Sequence, residues 1–324
     1  MIVRKKIAKW TLIALLVVVL GVSSNPVRGQ TKQVTSQHVH APSAKGDASP
    51  VPARAANKAA SAAHGYEVHT YTDPSAMSMT YYLFVPDDYN PEQSYPLVLL
   101  LHGGGESANP KATPEQNSTL LLEQYYAQVW ISSAIQEKWP AFILIPQIVA
   151  PGRWVNVPAV TGSYTLSAQP SDSLRMAKEI ADMLQREYQG IDPNRLYVTG
   201  LSMGGYGTWE AIERWPGYFA AAAPLAGAGD PSKAALLVHL PIWAFHGAQD
   251  TVVPVSGSQD MIQAIIQAGG HPRYTEYPND GHDLWGPGKV YTPTSDPAFF
   301  AWLFSQKRSQ PIITCCNRGN ALLS

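Results

Sequence analysis

Short blocks of unbroken apolar residues alternate along this chain with segments whose apolar positions recur every three or four residues. Leu97–Leu101 reads LVLLL, apolar at every position, as expected of a strand buried on both faces inside a parallel sheet covered by helices. Tyr81–Val85, Ala141–Ile145, Arg195–Thr199, Phe219–Ala223 and Pro241–Phe245 follow the same rule, and Pro272–Tyr277 is also strand-like. Leu174, Ala177, Ala181, Leu184 and Tyr188 mark one face of a helix, with Ser171 and Asp172 ahead of it as candidate caps. Met261, Ile262, Ile265 and Ile266 mark another helix. The alternation predicts an α/β domain with a mainly parallel sheet. Tyr66–Tyr71 and Tyr81–Val85 are placed to pair antiparallel at one edge.

The ends of the chain follow other rules. Residues 1–29 open with Arg4, Lys5, Lys6 and Lys9, continue through the uncharged Thr11–Val22, and end near the small residues Val27 and Gly29. That order predicts a cleaved signal peptide, since the apolar run is shorter than the roughly 20 residues a spanning helix needs. The mature protein is then expected to be secreted, extracellular or periplasmic, with no stable membrane insertion. Residues 30–64 carry neither a helical nor a strand period and predict a disordered linker; His38 and His40 within it read as incidental rather than as a metal site. Residues 65–308 form the expected folded domain, and 309–324 a flexible tail. The two cysteines, Cys315 and Cys316, are neighbours in that tail, too close for an ordinary disulfide. The whole chain has 23 Lys and Arg against 24 Asp and Glu. Without the five basic residues of 1–29, 18 remain against 24, which argues against nucleic acid or an anionic surface as partner.

Candidate chemistry concentrates at Gly200-Leu201-Ser202-Met203-Gly204, where a strand pattern runs into a helical one. G-x-S-x-G in that setting predicts a nucleophile on a tight strand-to-helix turn whose neighbours must lack bulk. A serine hydroxyl needs a base to take its proton, and the base needs an orienting carboxylate. In chain order these are expected later, acid before histidine. Asp250 follows the strand-like Pro241–Phe245, and His282 follows Pro272–Tyr277. Asp280 and Asp283 are rival acids, but they lie too near His282 in sequence to approach its ring from behind. His246 reads as a structural loop histidine. The oxyanion of a tetrahedral intermediate needs fixed N–H donors. Met203 supplies one candidate, and the turn His102-Gly103-Gly104-Gly105-Glu106 supplies Gly104, with Gly105 next. His102 reads as a brace for that turn. Gln147 to Gln169 shows no regular element, and loops of that length are usually functional or disordered. Its Trp154 and Tyr164, with Trp285 close to His282, are expected to wall a substrate cleft; Trp154 and Trp285 are the substrate-binding candidates.

The segments LLLHGGGE, FILIPQ, DPNRLYVTGLSMGGYGTWE, FAAAAPLAGAG, FHGAQDTVVP and GHDLW resemble the α/β-hydrolase superfamily. They are similar to its secreted esterase branch, which includes feruloyl-esterase-like, polyhydroxybutyrate-depolymerase-like and phospholipase/carboxylesterase ("predicted peptidase") proteins. The likeness runs from about Tyr81 to Leu303. It implies an α/β-hydrolase fold with a mainly parallel sheet of about eight strands, helices on both faces and no cap domain. It also implies no cofactor or metal, and Ser202, Asp250 and His282 acting on a small-molecule or polymer-linked ester, with feruloyl, acetyl or short-chain esters as candidates. A peptidase or an acyltransferase would use the same residues, whereas a non-catalytic binding protein would have lost one of them. The motifs G-x-x-x-x-G-K, H-E-x-x-H and a strand-following G-x-G-x-x-G are missing from the sequence.

Overall fold

Among the described residues the apolar strands assemble one nine-stranded sheet. A computed structural model describes residues 62–158, 160–294 and 298–308. The expected signal peptide, most of the expected linker and the tail with Cys315 and Cys316 lie outside the described residues. The strands are β1 (Ala62–Ala63), β2 (Tyr66–Thr72), β3 (Ser78–Phe84), β4 (Tyr95–Leu101), β5 (Phe142–Gln147), β6 (Ile191–Leu201), β7 (Ala221–Leu225), β8 (Trp243–Gly247) and β9 (Arg273–Tyr277). β1 falls inside the last residues of the segment expected to be linker. Strand order is β1-β2-β3-β5-β4-β6-β7-β8-β9. The first three strands pair antiparallel, as does β3 with β5. All pairings from β5 through β9 are parallel.

Successive strand residues face opposite sides, and β4 shows the consequence. Leu97, Leu99 and Leu101 enter one core layer, and Val98 and Leu100 enter the other. The first layer is closed by α4 (Asp172–Glu187), α5 (Met203–Arg214) and α6 (Ser256–Gln267), the second by α1 (Pro114–Leu122), α2 (Tyr125–Trp130), α3 (Ser133–Gln136) and α7 (Phe299–Ser305). Helix α4 buries the expected Leu174, Ala177, Ala181 and Leu184, and the Ser171 hydroxyl accepts the Leu174 N–H at its start. On α6, Met261, Ile262 and Ile265 are buried, but Ile266 is 57% exposed. One residue beyond Ile265 turns about 100° away from the core. β7 and β8 begin two residues later than their apolar runs: Phe219 and Ile242 are buried ahead of the paired stretches, which start at Ala221 and Trp243.

The C-terminal ends of β4, β6, β8 and β9 open onto the same edge of the sheet, where open α/β sheets build their sites. No helix among the described residues is long and apolar enough to cross a membrane.

Candidate active site

Strand β6 ends at Leu201 and α5 begins at Met203, so Ser202 alone makes the turn. Its φ of 55° and ψ of −119° are a conformation that non-glycine residues rarely adopt. The turn is held by the Ser202 N–H donating to the Leu225 carbonyl at 3.0 Å. Gly204 explains the second fixed glycine, since a Cβ there would collide with the Leu101 carbonyl of β4. The nucleophile candidate is thereby pushed up out of the sheet edge on a rigid turn.

The structure brings Ser202, His282 and Asp250 together. His282 Nε2 lies 2.8 Å from Ser202 Oγ, and His282 Nδ1 lies 2.7 Å from Asp250 Oδ2. The Asp250 side chain is fully buried and that of His282 is 19% exposed. Asp250 Oδ1 accepts the N–H groups of Val252 and Val253 at 2.8 and 2.9 Å. Burial pushes this carboxyl upward, but the His282 hydrogen bond and those two N–H groups outweigh it and leave it below its ordinary value. The rival acids point elsewhere. Asp280 pairs with Lys289 at 2.6 Å, and Asp283 accepts the N–H of Trp285. An imidazole bonded to a hydroxyl on one side and a carboxylate on the other can draw a proton from that hydroxyl and stabilise the resulting charge.

The glycine turn sits beside this group, and a Cβ on Gly103 would lie 3.7 Å from that of Ser202. Gly104 and Gly105 are exposed, in a short 3₁₀ turn ending at Glu106. Met203 lies in the first turn of α5, whose unpaired N–H groups favour negative charge. His102 is fully buried beneath the turn. Its Nε2 accepts the Ile148 N–H at 3.1 Å, so Nδ1 carries the proton and donates to the Gly103 carbonyl at 2.6 Å. Burial pushes His102 down to about 4, consistent with a neutral brace.

Gln147, the buried last residue of β5, was visible in the sequence only as the start of a loop. Its amide donates to the carbonyls of Glu106 and Asn117, both at 2.9 Å, and accepts from Tyr82. A polar residue closing the otherwise apolar run FILIP is the signal that could have marked it as a support for the glycine turn.

The loop after Gln147 corrects one expectation. Trp154 does not line a cleft: it is fully buried, its indole N–H donates to the His102 carbonyl at 2.9 Å, and its ring meets the His102 ring edge-on at 5.2 Å. The sequence shows an aromatic residue in a loop but not which way it faces; here the ring packs inward against α5 at Gly207. Tyr164 is also turned toward α5, stacked on Tyr206 and donating to Glu210 at 3.2 Å. Tyr206 donates to the Thr161 carbonyl, and Arg214 bonds the carbonyls of Ser167 and Gln169. Trp285 does lie at the site, half-buried and edge-on to His282 at 5.2 Å and 89°.

Fold and site geometry together define an α/β hydrolase. A family model named Esterase, described as "Putative esterase", matches residues 75–317, and the chain belongs to that family of carboxylic ester hydrolases. Among curated relatives, the poly(3-hydroxyoctanoate) depolymerase of Pseudomonas fluorescens is 27% identical over 212 residues, 62% of this chain and 73% of that one. Among solved structures, a thermostable esterase is 36% identical with a TM-score of 0.62 over 75% of this chain. The match spans 64% of that protein's own length. The feruloyl esterase module of Clostridium thermocellum, solved as an S954A mutant with sinapinate, shares the fold at 16% identity and a TM-score of 0.54, over 76% and 91% of the two chains.

Proposed function

We propose that this chain is an exported serine carboxylesterase working through an acyl-enzyme. The observation that carries the reading is the continuous hydrogen-bonded line from Asp250 through His282 to Ser202, at 2.7 and 2.8 Å. Ser202 Oγ attacks the ester carbonyl while His282 Nε2 takes its proton, and Asp250 holds Nδ1–H and steadies the imidazolium. The N–H groups of Met203 and of Gly104 or Gly105 receive the developing oxyanion. His282 then protonates the departing alkoxide. A water, deprotonated in turn by His282, releases the acid and restores Ser202.

The relatives' names favour an ester within a polymer or an ester of an aromatic acid, and feruloyl, acetyl and short-chain esters are the candidates. Trp285 flanks the reacting centre, where its ring can border such a group. Residues 1–29 act as the export signal, 30–61 as a linker, 62–308, which include β1, as the catalytic domain and 309–324 as a tail.

The test compares Ser202→Ala with wild type on p-nitrophenyl esters, methyl ferulate and acetylated xylan, together with labelling by a fluorophosphonate. The variant should lose on the order of 10⁴–10⁶ in rate and all labelling. A variant that kept most of its hydrolysis would overturn the assignment.

A further inference from the structure

The sequence reads His246 as a structural loop histidine, but it lies on a strand and touches the candidate acid directly. His246 is the next-to-last residue of β8, four positions before Asp250, and both side chains are fully buried. His246 Nε2 lies 3.3 Å from Asp250 Oδ2 and 3.2 Å from the Val253 carbonyl. On the far side of the ring, Nδ1 lies 2.7 Å from Ser258 Oγ, on α6. We propose that His246 is a positioning residue, which clamps the Asp250 carboxylate from behind and limits how strongly that carboxylate holds a proton on His282. This rests on the triad reading above.

Proton accounting supports the clamp. The Val253 carbonyl and an ionised Asp250 can only accept, so Nε2 must carry a hydrogen, shared between them. Nδ1 then accepts from the Ser258 hydroxyl, which fixes the tautomer; the Gly227 carbonyl, 3.2 Å from the same hydroxyl, is the competing acceptor. Burial lowers the basicity of His246, against smaller opposing effects of the Val253 carbonyl and Asp250, so the ring remains a neutral donor. Asp250 is left with N–H donors on every side: Val252 and Val253 on Oδ1, and His282 and His246 on Oδ2. The other titratable groups facing this assembly are Glu276 of β9 and Tyr206 of α5. Neither hydrogen-bonds Asp250: Glu276 is engaged by Tyr274 and Gln259, and the Tyr206 hydroxyl by Thr161.

Removing the Nε2 donor leaves more negative charge on Oδ2, where it favours the protonated imidazole of His282. The acid limb of the kcat/KM profile should therefore move to higher pH. Freed from one partner, the carboxylate can also rotate, which lowers kcat and leaves KM nearly unchanged.

The experiment compares His246→Asn, His246→Gln and Ser258→Ala in the full chain, normalised to the fraction of enzyme labelled by a fluorophosphonate. A glutamine amide nitrogen reaches the Nε2 position, whereas an asparagine amide reaches only Nδ1. His246→Asn should lower kcat about 10- to 100-fold, well short of the ~10⁴ of a disabled triad acid, and move the acid limb to higher pH. His246→Gln should restore both toward wild type. Ser258→Ala, which unlocks the tautomer without touching Asp250, should shift the limb the same way by a smaller amount, and it carries the test if the asparagine variant does not fold. An unchanged acid limb in His246→Asn, or identical behaviour of the Asn and Gln variants, overturns the proposal. If Ser202→Ala and His282→Ala keep their activity, the triad reading itself is at fault.

Discussion

Replacing Trp154 with phenylalanine separates a residue that shapes the cleft from one that holds up the glycine turn. The indole is fully buried and gives its N–H to the His102 carbonyl at 2.9 Å, directly beneath Gly103–Gly105. Phenylalanine keeps an aromatic ring but removes that donor, and a buried carbonyl left without it costs about 1–3 kcal/mol. The smaller ring adds about 1–2 kcal/mol, a fraction of the ~3–5 kcal/mol of a full truncation to alanine. The expected loss is therefore about 2–5 kcal/mol, read as a lower urea midpoint at unchanged m. With the turn loosened, kcat should fall for every ester by the same factor, because the ring never meets the substrate. Parallel assays on p-nitrophenyl butyrate and methyl ferulate check this. A stability change within about 0.5 kcal/mol, the usual scatter of surface substitutions, would refute the reasoning, and so would a loss on methyl ferulate about tenfold larger than on p-nitrophenyl butyrate.

His102 and Glu213 give two predictions from acid–base linkage. Burial holds folded His102 at about 4, below the ~6.5 of an unfolded histidine. The unfolded chain therefore takes the proton first, and stability should drain as pH falls from about 6.5 to about 4, by about 3 kcal/mol, then level off. A His102 ring resonance that titrates near its unfolded value would contradict this. Glu213 on α5 is pushed well above its ordinary value by burial, reinforced by Asp230 and Glu210 and opposed by the Asp230 N–H and Arg214. The folded state then holds its proton longer than the unfolded one, so wild type loses stability as pH rises above about 4.3. Glu213→Gln escapes that loss, and its stability relative to wild type should improve as pH rises above about 4.3. A difference independent of pH would show that Glu213 does not take part in the linkage.

Where the sequence was legible, a strong local rule was at work. LVLLL could be read as a central strand because β4 is buried at all seven positions, between α4–α6 on one side and α1–α3 with α7 on the other. Ser202 was legible because its turn tolerates only certain neighbours. Asp250 and His282 could be read from their order along the chain and their places after strand ends. Helices α1 to α3, of nine, six and four residues, went unread, since so few turns carry too little periodicity to register. The inward aim of Trp154 and the contact of His246 with Asp250 went unread for a different reason. Both depend on how an irregular segment folds back on itself, and no spacing encodes that. His102 was read correctly as a brace, but its acceptor role toward Ile148 needed the neighbouring β5 loop in place.

The hydrogen bonds between the segment after β5 and helix α5 bear on how parts can be exchanged between such enzymes. The Thr161, Ser167 and Gln169 carbonyls and the Tyr164 hydroxyl are all met by Tyr206, Glu210 and Arg214, on the helix that begins one residue after Ser202. A transplanted segment would strand these helix groups without their partners, and a new helix would strand the segment. The transferable module is therefore the two pieces together, and chimeras cut between them would leave each piece facing groups it does not match.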